Sequence, residues 1–178
     1  IPLVAMPHVQ LFSMGMFTWV PSNFVAFLNL PVDDLAELEV NFKRLVRRIN
    51  LPVQQIDFSN LNFNEIAWIK TEKDQSFVFR IDEMEDLFPS FVSAAGDSKK
   101  YRNFSYSKIT LPSDLSALLG IFGDPLQPQW GAWHENLLLL SESEAGLKNI
   151  LGNYQDGNTL DRNPGYLNLK AQLSDEHS

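Results

Sequence analysis

Leu137, Leu138, Leu139 and Leu140 run without interruption into Ser141-Glu142-Ser143-Glu144, and this junction constrains the fold more than any other part of the chain. A short continuous apolar run bounded by polar residues reads as a buried strand, here over 131–140. Ser141 and Glu144 have capping-box spacing, in which a serine side chain and a glutamate three residues on satisfy free N–H groups at a helix start. The strand therefore turns straight into a helix over about 142–154, with Leu147, Ile150, Leu151 and Tyr154 on its apolar face.

A second helix is written as plainly. Leu35, Leu38, Phe42, Leu45, Val46 and Ile49 recur at spacings of three and four, along one helical face. Asp34 stands at the N-cap with Glu37 three residues later, acids lead, and Lys43, Arg44, Arg47 and Arg48 trail, as the helix dipole favours. Asn50 and Pro52 stop it. Apolar runs at 65–71 and 76–81, joined by Glu72-Lys73-Asp74-Gln75, form a hairpin. Residues 82–95 carry a helical pattern broken by Pro89, with Gly96 as its stop. In 101–111, Phe104 and Tyr106 share a face and the phase shifts at Ile109, which suggests a bulge.

With a strand at 24–30, these elements follow the order strand, helix, strand, strand, helix, strand. That is the split βαβ, or ferredoxin-like, order within an α+β antiparallel fold. A further strand at 117–123, a Pro-bearing turn at 124–128, the strand at 131–140 and the helix after it extend the unit. Asn163-Pro164 opens a last helix reaching about Leu173. The expected organisation is an uncharged segment at 1–32, a ferredoxin-like unit over 20–111, and a hairpin with helices over 112–178 packed on the same core.

At 178 residues and 44% hydrophobic content the chain is long and apolar enough to bury a core. Net charge is −8, so the cationic surface that phosphate backbones require is missing and nucleic acid is not an expected partner. There is no cysteine, which removes thiolate nucleophiles, cysteine zinc sites and disulfides. Charge is also unevenly placed: no Asp, Glu, Lys or Arg precedes Asp33. Two buried strands, at 9–20 and 24–30, account for this; the sharper alternative is a surface that meets a partner chain, a missing part of the same protein or a membrane. Pro2, Pro7, Pro21 and Gly15 argue against a membrane-spanning helix, and the segment lacks the basic leader of an intact signal peptide. Phe12, Met14 and Phe17 are its candidate contact residues.

No residue pattern carries chemistry. His8, His134 and His177 lie in separate segments without ligand spacing, so no metal site is expected. His134 and Glu135, adjacent on a strand, point to opposite faces. Asp33-Asp34 is explained by helix capping and Asp156-Gly157-Asn158 by a turn. Neither a GxSxG elbow, nor a GxxxxGKS loop, nor a GxGxxG fingerprint is present. No catalytic residue, cofactor or enzyme activity is therefore expected. Among the aromatics Trp68, Trp130, Trp133, Phe77 and Phe79, the candidates for ligand or partner contact are Trp130 and Trp133, with Trp130 following two prolines.

Four stretches carry a family resemblance: Val20-Pro21-Ser22-Asn23-Phe24-Val25-Ala26-Phe27, Tyr101-Arg102-Asn103-Phe104-Ser105-Tyr106, the run from Leu137 into Ser141-Glu142-Ser143, and Gly157-Asn158-Thr159-Leu160 with Asn163-Pro164. In these the chain resembles an uncharacterised family of bacterial envelope proteins of Bacteroidetes type, related to domain-of-unknown-function family three-three-five-two. The resemblance implies an exported or anchored protein facing the periplasm, longer than this chain, with membrane association through the parent protein; it supplies no catalytic residue. The uncharged start has no counterpart in it. The resulting expectation is a non-enzymatic domain or fragment of a cell-envelope protein acting through protein contacts, incomplete or part of an assembly. The alternative is a small-molecule or glycan-binding module using exposed aromatics.

Overall fold

The computed structural model describes residues 15–48, 58, 61–81, 93–120 and 128–175. Its centre is one antiparallel sheet of eight strands: β1 (Phe24–Pro31), β2 (Glu65–Thr71), β3 (Gln75–Arg80), β4 (Ser93–Ala94), β5 (Lys99–Tyr101), β6 (Phe104–Thr110), β7 (Trp130–His134) and β8 (Leu137–Ser141). The order across the sheet is β1-β2-β3-β8-β7-β6-β4, with β5 also paired to β6. Helix α1 (Leu35–Arg48) and helix α2 (Ser113–Leu119) supply core side chains on one face; α3 (Glu144–Asp156) supplies them on the other, where α4 (Pro164–Asp175) follows. The molecule is α+β with a sheet covered on both sides.

The leucine run explains that arrangement. Leu138 and Leu140 enter the first core, beside Phe77, Phe79, Phe42 and Leu118. Leu137 and Leu139 enter the second, beside Val78, Ala132, Ile150 and Leu151. A strand apolar on both faces needs the middle of the sheet, and β8 occupies it, between β3 and β7. Its partners answer in kind: Phe77 opposes Leu140 and Phe79 opposes Leu138. Burying each such side chain is worth about 1.5–3 kcal/mol.

The ends of the elements follow the sequence signals. Asp34 Oδ1 accepts the Ala36 and Glu37 amides at 2.8 and 3.3 Å. Asn163 Oδ1 does the same for Gly165 and Tyr166 at 2.9 and 3.2 Å. At α3 the cap is Ser143, whose oxygen accepts the Gly146 amide at 2.9 Å, so the helix starts two residues later than the Ser141-Glu144 spacing suggests. Gly157, at φ 69°, closes α3 in the left-handed conformation that a glycine adopts without Cβ strain.

Several expectations are corrected. The ferredoxin-like order is not what the pairing shows: β1 lies antiparallel beside β2, and the outer side of β3 is taken by β8. A split βαβ unit needs parallel strands around a crossover, and every named pairing here is antiparallel. The segment 131–140 is not one strand but the tight hairpin β7–β8, turning at Glu135 with φ 53°. Residues 117–119 belong to α2, not to a strand. Residues 17–19 form a 3-10 turn where a strand at 9–20 was expected, and residues 1–14 lie outside the described residues. Most of the helix expected over 82–95 lies outside them too, and Ser93 and Ala94 pair with Thr110 and Ile109 as a strand. Nor does β6 need a bulge. Phe104 and Tyr106 face one core and Ile109 the other, which is ordinary alternation between two buried faces.

Candidate interaction surface

The two edges of the sheet are built differently. At one, β4 and β5 are strands of two and three residues, a length that offers little to a foreign strand. At the other stands β1, eight residues long and without a charged side chain. Its inner side pairs with β2 from Phe24 to Pro31, with a register shift between Phe24 and Ala26. Among the described residues no strand pairs with its outer side. Alternate N–H and C=O groups of an edge strand point away from the sheet and form a template for another strand. Natural edges of this length carry lysines, prolines or bulges against that outcome; β1 has only Pro31 at its far end and the irregularity at its start.

Local contacts fix β1 in place. Val20 accepts the Leu160 amide at 2.9 Å and the Ser22 amide donates to Asn158 O at 2.9 Å, tying the approach to β1 to the end of α3. Phe17 packs on Phe27 and on Tyr166, each at 5.5 Å between ring centres. Further along, Asn29 is buried and its Nδ2 donates to Glu65 Oε1 at 2.7 Å, while Arg80 Nε donates to Glu65 Oε2 at 2.8 Å. This three-strand polar link sets the register of β1 against β2 and β3, because a one-residue slip would turn Asn29 to the opposite face. Val25 and Leu28 nevertheless remain 62% and 41% exposed. The buried strand expected at 24–30 is thus an edge strand, half in water.

The aromatic candidates are divided by the sheet. Trp130 is buried in the second core, its ring under Lys99 at 4.6 Å and Lys108 at 5.6 Å. Trp133, half-buried, packs against the first core. They lie on opposite faces, so no single groove is lined by both. Phe17 is half-buried against the second core, and Phe12 and Met14 lie outside the described residues. Of the three contact residues named from sequence that are described, Phe17, Trp130 and Trp133, none belongs to β1. Val25 and Leu28 do, and the uncharged run containing them was the signal.

Near Trp130 lies the most strongly organised charge. Glu144, in the first turn of α3, accepts from Tyr106 Oη at 2.7 Å, Lys148 Nζ at 2.9 Å and Lys99 Nζ at 3.0 Å. These donors, Tyr106 first, hold its carboxyl down at about 2. All four groups answer one another, so the cluster reads as a clamp between β5, β6 and α3. His134 fills a space among Phe104, Trp19 and Tyr154, with ring centres at 5.2, 5.5 and 5.6 Å. Glu135 stands in the turn, its Oε1 4.0 Å from His134 Nε2, beyond hydrogen-bond reach. Among the described residues no group of three His, Asp or Glu side chains is placed to hold a metal ion, and no helix is long and apolar enough to cross a membrane. No protein-family model, curated protein or solved structure matches the chain.

Proposed function

We propose that this chain is a non-enzymatic α+β domain of a larger cell-envelope protein, facing the periplasm, that acts by pairing β1 with an extended segment of another protein chain. The observation that carries this reading is the open, uncharged edge of β1. Strand addition draws its affinity from main-chain hydrogen bonds and its selectivity from alternate side chains. Here Val25 and Leu28 are the side chains on offer. A segment free of charge fits best, since a charge laid against them would lose its hydration without a partner. The envelope setting rests on the resemblance of the strand and turn stretches described above.

Site-specific photo-crosslinking in the producing cell tests it. A photoreactive residue at Val25 should capture another chain, and one at the exposed Asn62 should not. Equal labelling at both positions, or none at Val25, defeats the reading.

A further inference from the structure

A cleft of about 600 Å³ opens where three elements meet: the start of β1, the β2–β3 turn and the first half of α3. We propose that it is a binding site for a neutral, hydroxyl-rich ligand, a saccharide of one or two rings. The inference goes beyond strand pairing at β1 and does not depend on it. Ligand sites commonly occupy 300–1,000 Å³, and a disaccharide falls within the range.

The lining has the chemistry that such a ligand uses. Asn23 and Asn149 stand side by side in the lining, each amide donating to the other's oxygen at 3.5 and 3.3 Å. These are long bonds, easily exchanged for bonds to a ligand. Asn149 Oδ1 is held by Asn153 Nδ2 at 3.0 Å, which leaves the Asn149 amide group directed rather than free to spin. Asp74 lies opposite: its backbone is pinned by Thr71, with Thr71 N donating to Asp74 O at 2.9 Å and Asp74 N to Thr71 Oγ1 at 3.1 Å. Its carboxylate lies over the first turn of α3, where a Cβ on Gly146 would come within 2.9 Å of Asp74 Cγ. The Asn149 amide and the Asp74 carboxylate can take adjacent hydroxyls in pairs, as donor and acceptor together. Val25, 62% exposed, supplies an apolar rim for the C–H side of a ring.

Charge selects against anions. Glu72 and Asp74 outnumber Lys73 in the lining, and the whole chain carries −8. A phosphate or carboxylate would meet net repulsion; a neutral sugar would not.

The test is a titration of the isotope-labelled full chain with glucose, N-acetylglucosamine, maltose and diacetylchitobiose, read from its amide NMR spectrum. At least one sugar should shift amides at 23–25, 71–74 and 145–149 together. Asp74→Ala and Asn149→Ala should each weaken that binding about tenfold, the size of one lost polar contact, while Trp133→Ala leaves it unchanged. The same spectrum shows whether each variant is folded, and an unfolded Asn149→Ala leaves Asp74→Ala to decide. No response to any of the four sugars overturns the proposal. So does a response elsewhere, binding that survives in a folded Asp74→Ala variant, or a stronger response of the same amides to the small cation putrescine. Loss of sugar binding with crosslinking at Val25 intact would sink this site and leave strand pairing standing.

Discussion

The Tyr106 hydroxyl donates to Glu144 Oε1 at 2.7 Å, joining the middle of β6 to the first turn of α3. Lys99 and Lys148 complete the grip, and the carboxyl falls from 4.5 to about 2. A group whose folded value is depressed stabilises the fold above its unfolded value and loses that contribution as pH falls through the folded one. Stability should therefore be level above about pH 4.5 and decline from there toward pH 2. Tyr106→Phe removes the largest of the three donors and should make that decline shallower. Urea midpoints measured across this pH range check it, and an unchanged slope in the variant would mean that Tyr106 does not hold the carboxylate.

Asn29, Glu65 and Arg80 should behave as one unit. Glu65→Ala leaves the Arg80 guanidinium and the Asn29 amide without this acceptor in a mostly buried setting. The expected loss is about 3 kcal/mol by denaturant unfolding. Glu65→Gln keeps an acceptor for Asn29 and should cost less; equal losses would show that the hydrogen bond to Asn29 counts for nothing.

Gly157 is needed for its backbone. At φ 69° an alanine is strained, and its Cβ would come within 2.5 Å of Arg162 Nη1. Arginine can swing away, so the cost is chiefly conformational, about 1 kcal/mol. Thermal unfolding of Gly157→Ala should show a lower midpoint, and Gly157→Asn a smaller drop, because asparagine tolerates this region.

Gly146 is needed for its size. A Cβ there would stand 2.6 Å from Ser141 Oγ and 2.9 Å from Asp74. Ser141 is fully buried and its Oγ is bonded to Ser76 Oγ at 2.9 Å, so it cannot yield cheaply. Gly146→Ala should destabilise by about 1–3 kcal/mol, the range for overpacking. A neutral or stabilising result in denaturant titration would show that the α3–β8 junction is looser than described.

Local signals in the sequence reached the elements that local physics decides. The 3-4 spacing and the Asp34 cap placed α1, the polar four-residue loop placed the β2–β3 hairpin, and Asn163-Pro164 placed α4. Non-local pairing was beyond them. Nothing near Leu137 states that β8 lies beside β3, and once it does, the ferredoxin-like order is impossible. The β7–β8 turn escaped notice because Glu135-Asn136 lacks glycine and the flanking residues are apolar on both sides. α2 looked like a strand because Leu118 and Leu119 sit in a short apolar run whose period is ambiguous.

The open edge was half legible. Absence of charge before Asp33 marked the stretch that contains β1, and a partner surface was one of three explanations for it. Which residues of that stretch face outward depends on which strand closes the sheet, and the sequence does not state that. The prolines before Trp130 suggested exposure, yet Trp130 is buried in one core, while Trp133 is half-buried against the other.

Hydrogen exchange of the β1 amides in the isolated, monomeric chain tests the open edge most directly. Amides bonded to β2 should exchange as slowly as the core, and those alternating with them should exchange rapidly. Leu28→Lys should leave that pattern unchanged while abolishing the crosslinking of a photoreactive residue at Val25 to another chain. Slow exchange at every β1 amide in a monomer would contradict the claim, because the chain would then complete its own sheet and leave no edge for a partner.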